Sequence, residues 1–384
     1  MSNKFTRGDL AVMQKWPLQT KINHSLRLME DWRNYWDNRW MYDEEPCGIY
    51  VSISGGKDSE VLRDLARRAF GWGFPLVFCQ TGLEYPSVKE LALLHDDVVV
   101  LKPKKSHYQI LREYGYPVIS KEVSRYVYGV RHARTEEARQ HYLNRFDGLD
   151  DEGNYSKRRQ GYKKFKFLLD APFEMSDYCC NYLKESACRE YEKQTGNKAI
   201  VGTMACESGQ RLNGWLQTGC NAFDSDVPMC KPLSIWTEKD ILEYLKLNEE
   251  RMMKNLEEEA SHRGMSSEEF HCKFKHPWAE AYGEIVEVDQ IEGQMNLFDL
   301  FQTTGCEYKT TGCDRTGCLY CMYGAHCRGD ERFVRLKETL PEMYDFVMRG
   351  GEFNENGMWV PKNGLGFKFV IDWINEHSDL NIKY

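Results

Sequence analysis

The most chemically distinctive stretch of the sequence is the run Ser-Gly-Gly-Lys-Asp-Ser at positions 54–59. Adjacent glycines let a backbone approach a ligand closely, and the free N–H groups at the start of a helix attract anions. An alternating apolar segment at 49–53 precedes the run, apolar residues at helical spacing follow it, and Lys57 adds a cation. The spacing differs from that of a Walker loop. The run predicts a phosphate-binding turn, with a purely structural glycine turn as the alternative.

Cysteines form a second group of residues that could carry chemistry. Cys318 and Cys321 have Cys-x-x-Cys spacing, Cys313 precedes them, and Cys179 and Cys180 are adjacent far upstream. Thiolates two residues apart in a turn can point at one centre, and a tetrahedral or cubane site needs two further soft ligands. The tandem pair, or one of its members together with Cys313, can supply them. Thiolate ligands alone do not decide between zinc and an iron–sulfur cluster.

Both groups of residues need a scaffold, which the apolar patterning outlines. Strands are predicted at 49–53, 75–80, 97–101 and 199–202. Helices are predicted at 87–94, 106–115, 120–146 and 238–247, after a leading amphipathic helix over 18–32 that we expect to pack on the sheet. Strands that alternate with helices predict an α/β fold with a doubly wound, mainly parallel sheet. Ligands of such sheets bind at the carboxyl ends of the strands.

Composition limits the classes of partner. The chain has 384 residues, a formal net charge of −8 and 14 cysteines. This acidic balance argues against a uniform electrostatic coating of nucleic acid but is compatible with a local basic groove. No apolar run approaches the roughly 20 residues that span a bilayer, and the first residues lack a signal-peptide pattern. We therefore expect no membrane partner and a reducing, cytoplasmic location, where closely spaced cysteines are more often metal ligands or redox groups than disulfides.

We divide the sequence into four parts. These are a helical lead at 1–46, a nucleotide-binding α/β domain at 47–247, a charged insertion and connector at 248–304, and a Cys-rich metal-binding segment with C-terminal helices at 305–384. Within the third part, residues 249–269 are charged without a clear apolar stripe and predict an exposed helical insertion.

Two later motifs have both a structural and a ligand-facing interpretation. Thr237 and Asp240 form a helix-capping box with Trp236 as a hydrophobic staple, and we favour this structural role. Glu207 and Arg211 could be an i,i+4 surface pair. Because they directly follow a buried strand, we favour a ligand-facing role, in which the planar guanidinium suits oxyanions.

Four motifs together resemble the phosphoadenosine phosphosulfate (PAPS) reductase family of the adenine-nucleotide α-hydrolase-like superfamily. They are the pyrophosphate-loop-like run at 54–59, Thr-Gly-Leu-Glu-Tyr-Pro at 81–86, Gly-Thr-Met-Ala-Cys-Glu-Ser at 202–208 with Arg211, and Pro-Leu-Ser-Ile-Trp-Thr-Glu-Lys-Asp at 232–240. The resemblance runs from about residue 16 to 350. One position departs from it, since Gln80 stands where the family usually has Asp, and this puts a role of position 80 in magnesium or ribose binding in doubt.

The resemblance implies an adenine nucleotide, ATP or a sulfonucleotide, bound with Mg²⁺. The implied catalytic residues are Lys57, Asp58 and Arg211. The implied nucleotide-binding residues are Ser54, Gly55, Gly56, Lys57, Asp58, Ser59, Thr81, Gly82, Glu84 and Glu207. In adenylylsulfate reductases, a tandem Cys pair and a Cys-x-x-Cys hold one [4Fe–4S] cluster, which favours iron–sulfur over zinc here. The implied ligands are Cys179, Cys180, Cys318 and Cys321, with Cys313 as a further candidate.

Reductases of this family attack the sulfonucleotide with a cysteine near the C-terminus, whereas the last cysteine here is Cys327. The chain resembles instead the ATP-dependent sulfur-insertion enzymes of tRNA thiolation and DNA phosphorothioation. The implied activity is adenylation of an acceptor, expected to be a nucleic acid, followed by iron–sulfur-dependent sulfur insertion, with a sulfur donor protein as a further partner. The alternatives are a sulfonucleotide reductase that uses a non-standard thiol, such as Cys327 or Cys206, and a nucleotide-binding regulatory protein without turnover.

A basic stretch at 157–166 interrupts the acidic chain and carries aromatic residues between its cations. Such a composition binds nucleic-acid backbones with stacked bases, or forms a solvated loop. We expect either role near the mouth of the site, because the stretch precedes the tandem cysteines.

Overall fold

The computed structural model describes residues 3–39, 47–155, 161–288 and 307–384. Clustering of contacts divides the chain into two compact units. The first unit comprises Met1–Gln80, Glu84–Leu101 and Cys188–Thr316, and the second comprises Thr81–Leu83, Lys102–Ala187 and Gly317–Tyr384. Each unit is therefore assembled from segments that are distant in sequence, and this division differs from the consecutive parts outlined by the sequence.

The first unit is built on a six-stranded sheet. Its strands are β1 (Ile49–Ile53), β2 (Leu76–Cys79), β3 (Val98–Leu101), β4 (Lys198–Val201), β5 (Asn221–Ala222) and β6 (Met229–Cys230). The strand order is β3-β2-β1-β4-β6-β5, and only β5 and β6 pair antiparallel. This confirms the predicted mainly parallel α/β fold. Because β1 lies between β2 and β4, the direction of strand addition reverses there, which is where open α/β sheets bind ligands.

The helices account for about half of the remaining described residues. In chain order they are α1 (Arg7–Gln14), α2 (Leu18–Asp37), α3 (Lys57–Phe70), α4 (Pro86–Leu94), α5 (His107–Tyr114), α6 (Lys121–Arg131), α7 (Glu136–Asp147), α8 (Tyr178–Cys180), α9 (Ser186–Thr195), α10 (Gly209–Thr218), α11 (Glu238–Leu247), α12 (Glu249–His262), α13 (Ser267–Lys273), α14 (Arg332–Thr339), α15 (Pro341–Met348) and α16 (Phe367–Glu376). Two antiparallel pairs complete the fold, β7 (Ile285–Val288) with β8 (Glu307–Thr310), and β9 (Glu352–Phe353) with β10 (Trp359–Val360). Among the described residues, no helix is long and apolar enough to cross a membrane.

The leading helix α2 is fixed to the first unit by polar contacts as well as apolar ones. Lys21 Nζ lies 2.7 Å from both carboxylate oxygens of the buried Asp240. Trp236 Nε1 donates to Ser25 Oγ at 3.0 Å. Asp240 also completes the capping box of α11 with Thr237. The structural interpretation of the capping motif is thereby confirmed. Asn221 of β5 donates to the Leu28 carbonyl of α2 at 2.9 Å, so the leading helix contacts the sheet as predicted.

The second unit is mainly helical. The Tyr116 hydroxyl donates to the Leu365 carbonyl oxygen at 2.9 Å, and the Tyr116 ring lies 5.6 Å from that of Phe367 in the core. The helix predicted over 120–146 is in fact two helices, because the Thr135 side chain accepts from the Ala138 N–H at 3.2 Å and begins α7. The cap at Thr135 therefore divides the segment into two helices, although its apolar residues keep helical spacing throughout.

A buried charge network joins α3, the residue after α4, and α12 in the first unit. Arg63 lies 3.0 Å from Glu60 and 3.0 Å from Glu259. Arg67 also pairs with Glu259. The two ring nitrogens of His95 lie 3.0 Å from Glu60 and 3.2 Å from Glu259. The His95 ring therefore bridges the two buried carboxylates.

This network corrects the expectation for residues 249–269. Helix α12 is not simply exposed, since Met252, Leu256 and Ala260 are buried in the core at a spacing of four residues. Glu259 is fully buried beside them. The many acidic residues around this stripe hide it in the sequence.

Replacing Glu259 by Gln should lower the free energy of unfolding by about 3–5 kcal/mol, because it leaves buried arginines without their counter-charge. Glu258→Gln is the matched control, since Glu258 is the exposed neighbour on the same helix. Urea denaturation of the two variants and the parent protein measures the difference. Equal midpoints for all three would contradict a stabilising role of the network.

The same carboxylate should make stability depend on pH. Burial alone would raise the pKa of Glu259, but Arg63, His95 and Arg67 outweigh it and hold the pKa well below its usual range. A carboxylate with a lowered folded-state pKa contributes stability above its unfolded pKa of about 4.3 and loses it as the pH falls further. The difference between the parent and Glu259→Gln should therefore shrink below about pH 4.

Candidate functional site

The turn at 54–56 connects β1 to α3 at the carboxyl end of β1. Gly55 has a φ of +70°, which disfavours side chains with a Cβ, and a Cβ there would overlap the Val88 carbonyl oxygen of α4. A Cβ at Gly56 would lie 3.1 Å from the Tyr282 hydroxyl oxygen. Gly55 is therefore required by its backbone conformation and by close packing, whereas Gly56 leaves room for the Tyr282 hydroxyl.

Four consecutive amides of the turn have internal hydrogen-bond partners. Ser59 Oγ accepts from the N–H groups of Ser54 and Gly55, each at 3.1 Å. Ser54 Oγ accepts from Gly56 N–H at 3.4 Å, and Tyr282 Oη accepts from Lys57 N–H at 3.2 Å. An anion that binds these amides must replace side-chain oxygens of the protein itself.

Lys57 is a buried cation between carboxylates. Its side chain is 2% exposed, and Nζ lies 3.0 Å from Glu238 Oε1 and 3.4 Å from Asp58 Oδ1. Burial alone would lower the pKa of Lys57, but Asp58 and Glu238 outweigh it and the pKa is raised. Lys57 is thus charged at the N-terminus of α3. Asp58 Oδ1 is buried. Its ion contact with Lys57 aside, this oxygen accepts no hydrogen bond within the described structure.

Tyr282 closes the turn from a distant part of the sequence. It lies in the segment before β7, and its hydroxyl is 2.5 Å from Thr316 Oγ1. The Lys57 ammonium lies 5.4 Å from the centre of its ring. Sequence analysis did not single out Tyr282 or Glu238. The position of Glu238 inside the capping motif was a usable signal for it, whereas only the fold brings Tyr282 to the turn.

The predicted pair Glu207 and Arg211 belongs to the same unit. Glu207 Oε2 accepts from the Met204 N–H at 2.8 Å, and the carboxylate forms an ion pair with Arg211. Arg315 approaches the same carboxylate at 3.8 Å. Burial and the positive charge of Arg315 lower the pKa of Arg211, while Asp58 opposes this. Glu207 therefore holds two partly exposed guanidinium groups close together.

Three further residues implied by the family resemblance are divided between the units. Thr81 and Gly82 belong to the second unit, where Thr81 Oγ1 accepts from the Leu83 N–H at 3.2 Å. Glu84 belongs to the first unit and precedes α4. Gln80, the departure from the family pattern, continues the sheet with an N–H that donates to the Leu101 carbonyl at 2.9 Å.

The second unit contains the tandem cysteines and the Cys-x-x-Cys pair. Burial raises the pKa of the Cys179 thiol, and the neighbouring Cys318, Cys180 and Cys321 thiols raise it further. Burial and then Cys318 raise the pKa of Cys321 to about 12. Cys179 and Cys321 thus lie in poorly solvated surroundings, with the Cys180 and Cys318 thiols near enough to affect both.

The local backbone supports the two pairs. Cys179 and Cys180 end α8, and a π-helical turn follows at Asn181–Glu185, a feature that often marks functional sites. Cys321 N–H donates to the Cys318 carbonyl at 3.1 Å, and Arg332 donates to the Cys321 carbonyl at 2.5 Å.

The donor set fits a thiophilic metal or cluster in its chemistry. In the part of the chain that the structure describes, however, no three histidine, cysteine or acidic side chains are arranged as a metal-ligand group. Closing the four thiols around a metal therefore requires side-chain rearrangement. Cys313 belongs to the first unit, where it is buried and its N–H donates to the Ala281 carbonyl at 2.9 Å.

The basic stretch at 157–166 is only partly described, since residues 156–160 lie outside the described residues. Within the remainder, Lys166 pairs with Asp147 at 2.8 Å, and the Lys164 ammonium lies 4.8 Å from the centre of the Phe165 ring. Two of its three described lysines thus already have contacts in the second unit.

No protein-family model matches the chain, and no curated protein matches it. Among solved structures, the chain is similar to a phosphoadenylyl-sulfate (PAPS) reductase from Candida auris in a phosphate complex. The two are 13% identical, with 65% of this chain and 89% of that chain covered, at a TM-score of 0.30. A likeness of this degree does not determine function, so the residues themselves must support the assignment.

Replacing Tyr282 by Phe should strengthen the binding of inorganic pyrophosphate, because Lys57 N–H no longer has to exchange a phenol oxygen for a phosphate oxygen. A hydrogen bond has a net worth of about 0.5–1.5 kcal/mol, so we expect a Kd about 2- to 10-fold lower by isothermal titration calorimetry. Tyr308→Phe, a half-buried tyrosine of β8, is the control. Unchanged or weaker binding in Tyr282→Phe would show that this hydroxyl does not compete with the anion.

Proposed function

We propose that this chain binds ATP at the 54–59 turn, cleaves it between the α- and β-phosphates, and transfers the adenylyl group to a nucleic-acid acceptor for sulfur insertion. The observation that carries the proposal is the buried, charged Lys57 at the N-terminus of α3, flanked by four amides of a glycine turn. A helix N-terminus with free or exchangeable N–H groups and a lysine is a binding site for phosphate oxygens. A multiply charged pyrophosphate matches this concentration of positive charge better than a monoanion does.

In the proposed reaction, an acceptor oxygen attacks the α-phosphorus of ATP. A new P–O bond forms, the bond to the β-phosphate oxygen breaks, and pyrophosphate leaves with the electron pair. Lys57 and the amides of the turn would stabilise the charge that develops on pyrophosphate. Arg211 and Arg315 are partly exposed guanidinium groups held by one carboxylate, and they could orient the α-phosphate or the acceptor.

Asp58 is the residue of the turn that best suits a magnesium ligand. Its buried Oδ1 oxygen has an ion contact with Lys57 but no hydrogen bond. Carboxylate oxygen is a preferred ligand of Mg²⁺, which is commonly held by one or two carboxylates together with substrate phosphates. When bound, Mg²⁺ would neutralise part of the charge on the phosphates.

A thiolate-held iron–sulfur cluster, when bound, would supply the sulfur chemistry of the second half-reaction. Cys179, Cys180, Cys318 and Cys321 would hold it, because all four belong to the second unit and the other three thiols contribute to the raised pKa of Cys179. Zinc is the alternative occupant of the same thiols, and Cys313 remains a further candidate ligand. Displacement of AMP from the adenylated acceptor by a sulfur nucleophile would then complete the exchange of oxygen for sulfur.

A sulfonucleotide reductase is the second candidate function, and Cys206 is the thiol that this first unit offers for it. A reductase nucleophile must be a thiolate. Partial burial raises the pKa of Cys206, and although its own N–H and Arg315 oppose this, Glu238 and Asp58 raise the pKa further. Its thiol instead donates to the Trp236 carbonyl at 3.5 Å. These surroundings favour the neutral thiol and so argue against Cys206 as the nucleophile.

Replacing Lys57 by Ala should reduce pyrophosphate release by roughly 100-fold or more, because the main cation beside the leaving group is lost. Lys246→Ala is the matched control, since Lys246 also forms a lysine–glutamate pair, with Glu249 at 2.9 Å. A coupled pyrophosphate assay with ATP, Mg²⁺ and single-stranded RNA or DNA as acceptor gives the rates, and calorimetry gives ATP affinity. Wild-type protein that binds no ATP would refute the site, and sulfite release from PAPS in the absence of ATP would favour the reductase instead.

Cys318→Ser and Cys321→Ser should each remove most of the iron from anaerobically purified protein, because a four-thiolate site loses a ligand that serine does not replace. Cys272→Ser is the control, since Cys272 is exposed on α13 in the first unit. Metal analysis and visible absorption report the loss. Colourless wild-type protein with one equivalent of zinc would assign these thiols to zinc.

A further inference from the structure

A continuous series of five aromatic rings lies beside the tandem cysteines in the second unit, and we call it the ring ladder. Its members, in spatial order, are His132, Tyr128, Tyr178, Tyr114 and Tyr182. The ring-centre distances along it are 4.2, 5.2, 4.9 and 4.9 Å. The two end pairs are stacked, at interplanar angles of 27° and 22°. The two central pairs are inclined, at 89° and 56°, so the ladder is a continuous aromatic cluster with a stacked pair at each end, drawn from α5, α6, α8 and the π-helical turn.

The ladder is accessible rather than part of the core. Its four tyrosines are half-buried, and His132 at one end is exposed. By contrast, Tyr116 on the neighbouring loop is fully buried and belongs to the core of the same unit. Partly exposed tyrosines in such a series keep ring edges and outer faces available to a planar ligand.

Cations accompany the rings in a regular pattern. Lys121, Arg125, Tyr128 and His132 follow one another on α6 and its C-cap at intervals of four, three and four residues, so they share one face of the helix. The Lys105 ammonium lies 5.0 Å from the ring centre of Tyr182 at the opposite end of the ladder. Positive groups thus lie at both sides of the aromatic surface.

These cations pair with acidic residues across the second unit, but the pairs are at the surface. Arg125 lies 2.8 Å from Asp177, and Lys121 lies 3.6 Å from Glu185. Surface ion pairs of this kind are worth only about 0–1 kcal/mol, so phosphate groups can replace the carboxylates at low cost. The segment 102–187 has seventeen lysines and arginines against twelve acidic residues, in a chain whose net charge is −8.

We propose that the ring ladder binds single-stranded nucleic acid, with bases stacked on its tyrosines and phosphates at Lys105, Lys121 and Arg125. Stacking on aromatic side chains along a positive surface is how proteins bind single strands without sequence preference. A duplex, whose bases are already stacked on each other, cannot use the rings in this way. Charge complementarity favours a polyanion over a protein partner of the same size.

The proposal rests on the proposed function in one respect, the identity of the bound strand as the acceptor. Tyr178 directly precedes Cys179, and Tyr182 follows Cys180 by two residues. A nucleotide stacked on these rings therefore lies beside the thiols that we assign to sulfur chemistry. The proposed acceptor is therefore an unpaired nucleotide of RNA or DNA.

The test is fluorescence anisotropy of the full chain with labelled RNA and DNA single strands of about 12 nucleotides, and with the matching duplexes. Wild-type protein should bind single strands more tightly than duplexes. Tyr182→Ala should weaken single-strand binding by roughly 5- to 100-fold, because base stacking on an aromatic ring is lost. Tyr182→Phe should retain the affinity, since it keeps the ring and removes only the hydroxyl that bonds to Tyr114 at 2.8 Å.

Tyr344→Ala is the matched control. Tyr344 is also a half-buried tyrosine of the second unit with a lysine over its ring, Lys337 at 5.2 Å, but it lies on α15 outside the ladder. Its affinity should equal that of the wild type. Circular dichroism of each variant checks folding, and comparing the RNA and DNA strands decides which of the two the surface prefers.

The proposal is overturned if wild-type protein does not bind single strands, if duplexes bind equally well, or if Tyr182→Ala binds as tightly as wild type. Equal loss in Tyr182→Phe would also overturn it, because the hydroxyl rather than the ring would then matter. Lys57→Ala separates this proposal from the proposed function. That variant should lose pyrophosphate release and keep single-strand binding. If wild-type protein binds single strands but does not turn over ATP, only the proposed adenylation is refuted.

Discussion

Helix α3 buries four charged side chains, and the first unit depends on how they are matched. The side chains of Lys57, Glu60, Arg63 and Asp64 are each at most 2% exposed. Because an unpaired buried charge costs several kcal/mol, each one requires a partner from elsewhere in the fold. Lys57 pairs with Glu238 of α11, and Arg63 pairs with Glu259 of α12. Asp64 pairs with Arg251 of α12 at 2.6–2.7 Å. The helix that begins at the glycine turn is thereby fixed by charge along its length.

This constraint explains which parts of the fold the sequence could predict. The strands β1 to β4 and the helix after the turn follow from local apolar patterns, which depend on neighbouring residues only. The partners of α3 lie roughly 200 residues away, and nothing in the local pattern of α12 distinguishes the buried Glu259 from the exposed Glu258 beside it. The boundary between α6 and α7 was also missed, since a single capping threonine divides a pattern that otherwise predicts one helix. Local periodicity predicts elements well and their long-range polar partners poorly.

The residues of the candidate site likewise fall into those that the sequence could predict and those that it could not. The turn, Lys57 and the two cysteine pairs could be identified because glycine spacing and Cys-x-x-Cys spacing are visible in the sequence. Tyr282 and Arg315 could not, because each reaches the turn or its neighbouring carboxylate only through tertiary folding. The structure also shows a feature that the spacing of residues in the sequence cannot predict. The four amides of the turn are already occupied by hydroxyl oxygens.

That occupation determines what kind of ligand the turn can select. Because each amide has an internal partner, the free energy of binding an anion is the difference between new and displaced hydrogen bonds. A monoanion that displaces Ser59 or Tyr282 gains little, since it exchanges one oxygen acceptor for another. A pyrophosphate group can engage the amides and the Lys57 ammonium at once, and its charge competes directly with Glu238 and Asp58 for that ammonium. Self-occupation of the turn therefore discriminates between anions by their charge and by the number of contacts that they make at once.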